Sequence, residues 1–199
     1  MSGAANVAQE KYHVNNPVVA FLIRRFFDRI AALLGAVGPQ SVLDAGCGEG
    51  ELLRRGVLGS GHTVSLDRSL DALTEIRTHT PACRPVCGSV LQLPFARASF
   101  DAVVCLEVLE HLADPAAAVQ ELLRVARLAV VLSVPYEPYF RFGNLLRGKY
   151  LDRLGNHPEH IQHWNLRRFR NLLSPTGCEV EVVEAFPWIV ACVRPKGKR

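Results

Sequence analysis

Three glycines stand at alternate positions directly behind a short apolar run in Ser41-Val42-Leu43-Asp44-Ala45-Gly46-Cys47-Gly48-Glu49-Gly50. The run has the composition of a buried strand, and a helix-forming segment, Glu51 to Leu58, follows at once. A strand, a tight turn and a helix in that order make the first βα unit of a doubly wound sheet. Glycine suits the turn because a side chain there would keep a ligand away from the backbone, and because glycine tolerates positive φ. Asp44, at the strand end, places a carboxylate where a cationic or hydroxylated ligand would sit. The spacing is neither the G-x-G-x-x-G of a dinucleotide site nor the Gly-Lys-Ser/Thr ending of a phosphate-binding loop.

The decapeptide resembles the first motif of class I S-adenosylmethionine-dependent methyltransferases, of the type 11 kind. Asp67 ends the next apolar run, Thr63-Val64-Ser65-Leu66, about twenty residues after the glycines. The resemblance implies that S-adenosyl-L-methionine lies across the first two strands. Asp44, Gly46, Cys47, Gly48 and Gly50 would hold its amino-acid end and Asp67 its ribose. Ser89 and Val90, with Leu91, would hold its adenine, and Arg68 and Leu106 are further cofactor-binding candidates. Many members carry Asp at the position of Ser89, and this chain departs from them there. The resemblance covers the chain from Val42 to Val193 and implies an α/β, Rossmann-like fold. Its sheet would be seven-stranded and mostly parallel, in the order 3-2-1-4-5-7-6, with helices on both faces.

With 199 residues, 49% of them apolar, the chain is most simply one methyltransferase domain spanning 1–199. No apolar run approaches the ~20 residues of a membrane span, and no basic-then-apolar signal pattern opens the sequence. A soluble, cytoplasmic protein is the expectation. The net charge of +4 permits an anionic substrate without arguing for one. Six scattered cysteines lack the paired spacing of a zinc site and read as reduced core thiols.

In chain order, residues 1–15 read as a flexible leader. A helix over 17–37 opens on Asn16 as cap and Pro17 in its first turn. Helices are predicted from Ser69 to Thr78, after Asp114-Pro115, and over Leu166 to Leu173. Strands are predicted over Arg84–Gly88, Ser99–Leu106, Leu128–Val134, Cys178–Phe186 and Trp188–Arg194. Residues 135–165 interrupt the alternation with aromatic, basic and imidazole side chains. They read as a substrate-covering insertion above the carboxyl ends of the strands.

Just past the fourth strand comes Glu107-Val108-Leu109-Glu110-His111. If one helical turn follows Leu106, then Glu107, Glu110 and His111 share a face where a methyl acceptor would lie. Many small-molecule methyltransferases, ubiquinone-pathway O-methyltransferases among them, carry a similar stretch. There His111 is the candidate general base, with Glu107 and His160 as further catalytic candidates. The sharper alternative rests on resemblance to methyltransferases of small-RNA 3′-terminal 2′-hydroxyls. In those, Glu-x-x-Glu-His and a later histidine bind a divalent metal. His157-Pro158-Glu159-His160-Ile161-Gln162-His163-Trp164 supplies that pattern with Glu for Asp, which makes Glu107, Glu110, His111 and His160 candidate ligands for Mn, Mg, Co or Fe. The favoured partner is a small-molecule acceptor methylated on oxygen or nitrogen. RNA is the less favoured acceptor, and a catalytically silent partner subunit is a third reading. The acceptor and the oligomeric state are not written in the sequence.

Overall fold

The computed structural model describes residues 16–59, 61–80, 83–137, 139 and 161–195. The expected leader and most of the expected insertion, His160 included, lie outside the described residues.

Helix α1 (Pro17–Val37) begins as its sequence dictates. The Asn16 side chain accepts from the Val18 and Val19 amides at 2.9 and 3.4 Å, and Pro17 brings a φ already suited to the first turn. Gly38 closes it at φ 63°, its N–H donating to the Leu34 carbonyl at 2.9 Å. The apolar stripe Ile23, Phe26, Phe27, Ile30, Leu33 and Leu34 is buried.

The chain continues through β1 (Ser41–Ala45), α2 (Glu51–Arg54), β2 (His62–Asp67), α3 (Leu70–His79), β3 (Arg84–Cys87) and β4 (Phe100–Leu106). A 3₁₀ turn over Leu109–His111 leads to α4 (Pro115–Val125) and β5 (Ala126–Pro135). Then come α5 (Leu166–Leu173), β6 (Glu179–Ala185) and β7 (Trp188–Arg194). The seven strands form one sheet in the order 3-2-1-4-5-7-6, as expected. The first five pair in parallel, and β7 runs antiparallel to both β5 and β6.

Two elements differ from expectation. Helix α2 stops at Arg54 rather than reaching Leu58, because Gly56 turns into the left-handed region at φ 66° and its N–H folds back onto the Leu53 carbonyl. Strand β5 starts at Ala126 with no connecting loop. Ala126 is already extended while its N–H still donates to Leu122 of α4, so one residue both caps the helix and opens the strand.

Alternation along the buried strands divides the core in two, as a sheet covered on both faces requires. Val103 and Cys105 of β4 point into the half closed by α4 and α5, while Ala102 and Val104 point into the half closed by α1 and α2. The amino edge of the sheet is tied by Asp101. It accepts from Arg127 Nε at 2.8 Å and from the Gln40 amide at 2.8 Å. The Arg127 guanidinium, then the Gln40 amide, hold its carboxyl below the usual carboxylate range. All six cysteines are free thiols, with Cys105 and Cys192 buried and Cys87 exposed. No helix among the described residues is long and apolar enough to cross a membrane.

Candidate functional site at the carboxyl edge of the sheet

The glycine loop leaves β1 and is stitched to β2. The Gly46 and Cys47 amides both donate to the Leu66 carbonyl, at 2.7 and 3.0 Å. Asp67, ending β2, takes the Gly48 amide on Oδ2 at 2.9 Å and the Ser69 amide on Oδ1 at 2.9 Å. A carboxylate offers about four lone-pair sites, so two remain for a ligand's hydroxyls. Gly46, Gly48 and Gly50 all have positive φ, at 81°, 50° and 78°. The positive φ expected of the turn is thus present at all three, but their surroundings differ. A Cβ on Gly46 would lie 2.4 Å from Val108 Cγ2, and one on Gly50 would lie 2.9 Å from Ile76 Cγ1. Those two glycines make room for the protein itself. A Cβ on Gly48 would meet nothing within 4 Å, which makes Gly48 the open point of the cradle.

Asp44 is 3% exposed and stands beside Ser65 of β2 in register. Its Oδ2 has no hydrogen-bond partner among the described residues. Burial, then the nearby charge of Asp67, push its pKa up to about 7. A buried carboxylate short of donors is costly unless a cation or donor reaches it. The ammonium and sulfonium groups of S-adenosylmethionine are such cations, so the residues present fit that molecule. Cys47, in the same loop, has its thiol pKa pushed up by burial and by the two aspartates.

The other cofactor candidates are dispersed around this cradle. Ser89 is exposed, and its hydroxyl accepts the Leu91 amide at 3.2 Å, which fixes a turn closed by a bridge to Gln92. Val90 is buried in the core, whereas Leu91 is 42% exposed and is the one of the two open to a flat ring. Arg68 is exposed, and Leu106 is half-buried at the end of β4.

The second constellation is built differently from expectation. Glu107 lies outside the 3₁₀ turn in the left-handed region, at φ 56°, so it does not share a helical face with Glu110 and His111. It is held there from β5 and β7. Trp188 Nε1 donates to Oε2 at 2.9 Å and Ser133 Oγ to Oε1 at 3.2 Å, while the Glu107 amide donates to the Ser133 carbonyl at 3.2 Å. Glu110 is fully buried. His111 stands beside it with Nε2 4.0 Å from Glu110 Oε1 and about a third of its side chain exposed. Among the described residues no group of three or more His, Cys, Asp or Glu side chains is placed to share a metal ion. Glu107, Glu110 and His111 therefore do not fit a common ion, and His160 lies outside the described residues. Trp164, whose spacing from His160 suggested the metal pattern, is buried with its ring 5.9 Å from Phe169. Core packing accounts for it. Sequence reasoning missed Ser133, Trp188 and Val108, because they meet the site across distances of chain that leave no local pattern.

Residues 43–132 match the family described as a methyltransferase domain. A probable S-adenosylmethionine-dependent methyltransferase from Mycolicibacterium smegmatis is 33% identical over 151 residues, which cover 71% of this chain and 53% of that protein. A ubiquinone biosynthesis O-methyltransferase from Alkalilimnicola ehrlichii is 38% identical over 107 residues, 50% of this chain and 42% of its own. Over these matches the chain spans about half the length of its curated relatives or less. Among solved structures, magnesium protoporphyrin IX methyltransferase from Synechocystis PCC 6803 with bound SAH superposes with a TM-score of 0.73. That match has 18% identity and covers 98% of this chain and 95% of the other, a likeness of fold. By these matches and its sheet order, the chain belongs to the class I S-adenosylmethionine-dependent methyltransferases.

Proposed function

We propose that the protein transfers a methyl group from S-adenosylmethionine to an oxygen or nitrogen atom of a small-molecule acceptor. The observation that carries this is the cradle itself: Gly48 is open and hydrogen-bonded to Asp67, and a buried oxygen of Asp44, on the strand leading into that loop, has no donor among the described residues. S-adenosylmethionine, when bound, supplies a methyl carbon activated by its sulfonium. Asp44 then offers charge to the amino-acid end, Asp67 accepts from the ribose with its remaining lone pairs, and Leu91 borders the adenine. His111, partly exposed and beside the buried Glu110, is the residue that takes a proton from the acceptor in this reading. Alignment of the acceptor against the methyl carbon supplies much of the acceleration in such a displacement. A small-molecule acceptor is supported by the ubiquinone biosynthesis relative.

Calorimetry with S-adenosylhomocysteine tests the reading. The wild type should bind, and Asp67→Ala should bind about 1–3 kcal/mol more weakly, the usual cost of leaving buried donors without a charged acceptor. Unchanged affinity in the variant removes the ribose role, and a wild type that does not bind removes the proposal.

A further inference from the structure

The turn that carries His111 is short, and its outward carbonyls need partners. A 3₁₀ turn over Leu109–His111 satisfies only its own first groups, through the His111 amide on the Val108 carbonyl at 3.0 Å and the Leu112 amide on the Leu109 carbonyl at 3.3 Å. Partners for the next carbonyls come from a segment fifty residues further on. The Ile161 and Gln162 amides both donate to the Glu110 carbonyl at 3.0 Å, and Gln162 Nε2 donates to the Leu112 carbonyl at 3.2 Å. The carbonyls on both sides of His111 are thus held by one dipeptide. That dipeptide is itself fixed, since the chain three residues on is pinned by the Glu137 amide on the Trp164 carbonyl at 3.1 Å and by burial of Trp164 against Phe169. Glu137 and Trp164 bracket the 135–165 segment at its two ends.

We propose that Gln162 is a positioning residue. Its side-chain amide and backbone N–H clamp the turn on either side of His111, so that the root of the 135–165 segment and the imidazole keep one fixed relation. The catalytic consequence rests on His111 being the acceptor-side base, as proposed above, but the clamp itself does not. A base must lie within hydrogen-bond reach of the proton it removes, and the clamp fixes the backbone from which the imidazole extends.

The test uses the whole chain, with S-adenosylhomocysteine as the control for folding. Gln162→Met keeps the length and shape of the side chain and removes the donor, and Gln162→Lys restores a donor of similar reach. In Gln162→Met the His111 and Leu112 amides should exchange with solvent about fivefold faster, the effect of one ordinary hydrogen bond lost. The His111 ring resonances, read in histidine-labelled protein, should broaden or shift. Gln162→Lys should return both to wild-type values, and affinity for S-adenosylhomocysteine should stay within about twofold in both variants, since the Gln162 side chain donates to the Leu112 carbonyl and not to the glycine loop or Asp67. Unchanged exchange and ring resonances in Gln162→Met overturn the proposal. So does a loss in Gln162→Lys as large as in Gln162→Met, which would trace the effect to packing and not to the donor. Failure of the base reading looks different: His111→Ala would keep methyl transfer, while the exchange pattern of the Gln162 variants would still report the clamp.

Discussion

Asp44 and Asp101 are buried carboxylates at opposite ends of neighbouring strands, and their surroundings drive them in opposite directions. Asp101 gains a guanidinium and backbone amides, so its folded pKa lies below its unfolded value. It therefore contributes stability that is present above the ordinary carboxylate range and is lost as pH falls through its folded pKa. Asp44 gains burial and a like charge, and its folded pKa rises from 3.8 to about 7. Between those values the folded state holds the extra proton, so the contribution is complete below pH 4 and is lost as pH rises through 7. Thermal stability of the free protein should thus fall from pH 5 to 8 more steeply in the wild type than in Asp44→Asn. Affinity for S-adenosylhomocysteine should move the other way, tightening as pH rises through 7 when Asp44 ionises, and staying flatter in Asp44→Asn. An identical pH profile in the two proteins would remove Asp44 from the amino-acid end. Gly46 belongs to the same scale. Gly46→Ala forces a methyl group into Val108 and holds alanine at φ 81°. It should cost about 2–4 kcal/mol in denaturant unfolding, strain and overpacking together. Val108→Ala should restore the packing part only.

Among the elements, those with local causes were legible in advance. Helix α1 declares itself through Asn16-Pro17, and β7 through its apolar run after Pro187. The segment after β4 was not legible. Its sequence reads as a helical turn, but Glu107 is drawn into the left-handed region by Ser133 and Trp188, the latter 81 residues away. Tertiary contacts there override local preference, and they also separated the three carboxylate and imidazole groups that spacing alone had placed on one face. Trp188 serves two elements at once, its ring 4.6 Å from Phe26 of α1 and its Nε1 on Glu107. Trp188→Phe keeps an aromatic ring against Phe26 but loses the donor and part of the buried indole. It should lower stability by about 1–3 kcal/mol, a charged acceptor having lost a buried donor, and should shift the resonances of Glu107 and Val108 more than those of α1. A change confined to α1 would show that the hydrogen bond matters little.

At the scale of the whole molecule, parallel strands gather their carboxyl ends on one edge, and the glycine loop, Asp67, Glu107 and the His111 turn all meet there. Sheet order followed from the family that a single motif and its spacing to Asp67 resemble. The surroundings of Glu107 and His111 could not be read, because they are assembled from β5, β7 and the segment after residue 160, which are remote in sequence. The position of β7 has a consequence for biosynthesis. It is the last described strand in chain order, yet it sits between β5 and β6 and carries the tryptophan that reaches Glu107. Chains grow from the amino end and their early parts begin to fold first. A nascent chain therefore holds the glycine loop and Asp67 before β7 is made, and only when Trp188 arrives does Glu107 gain its indole donor.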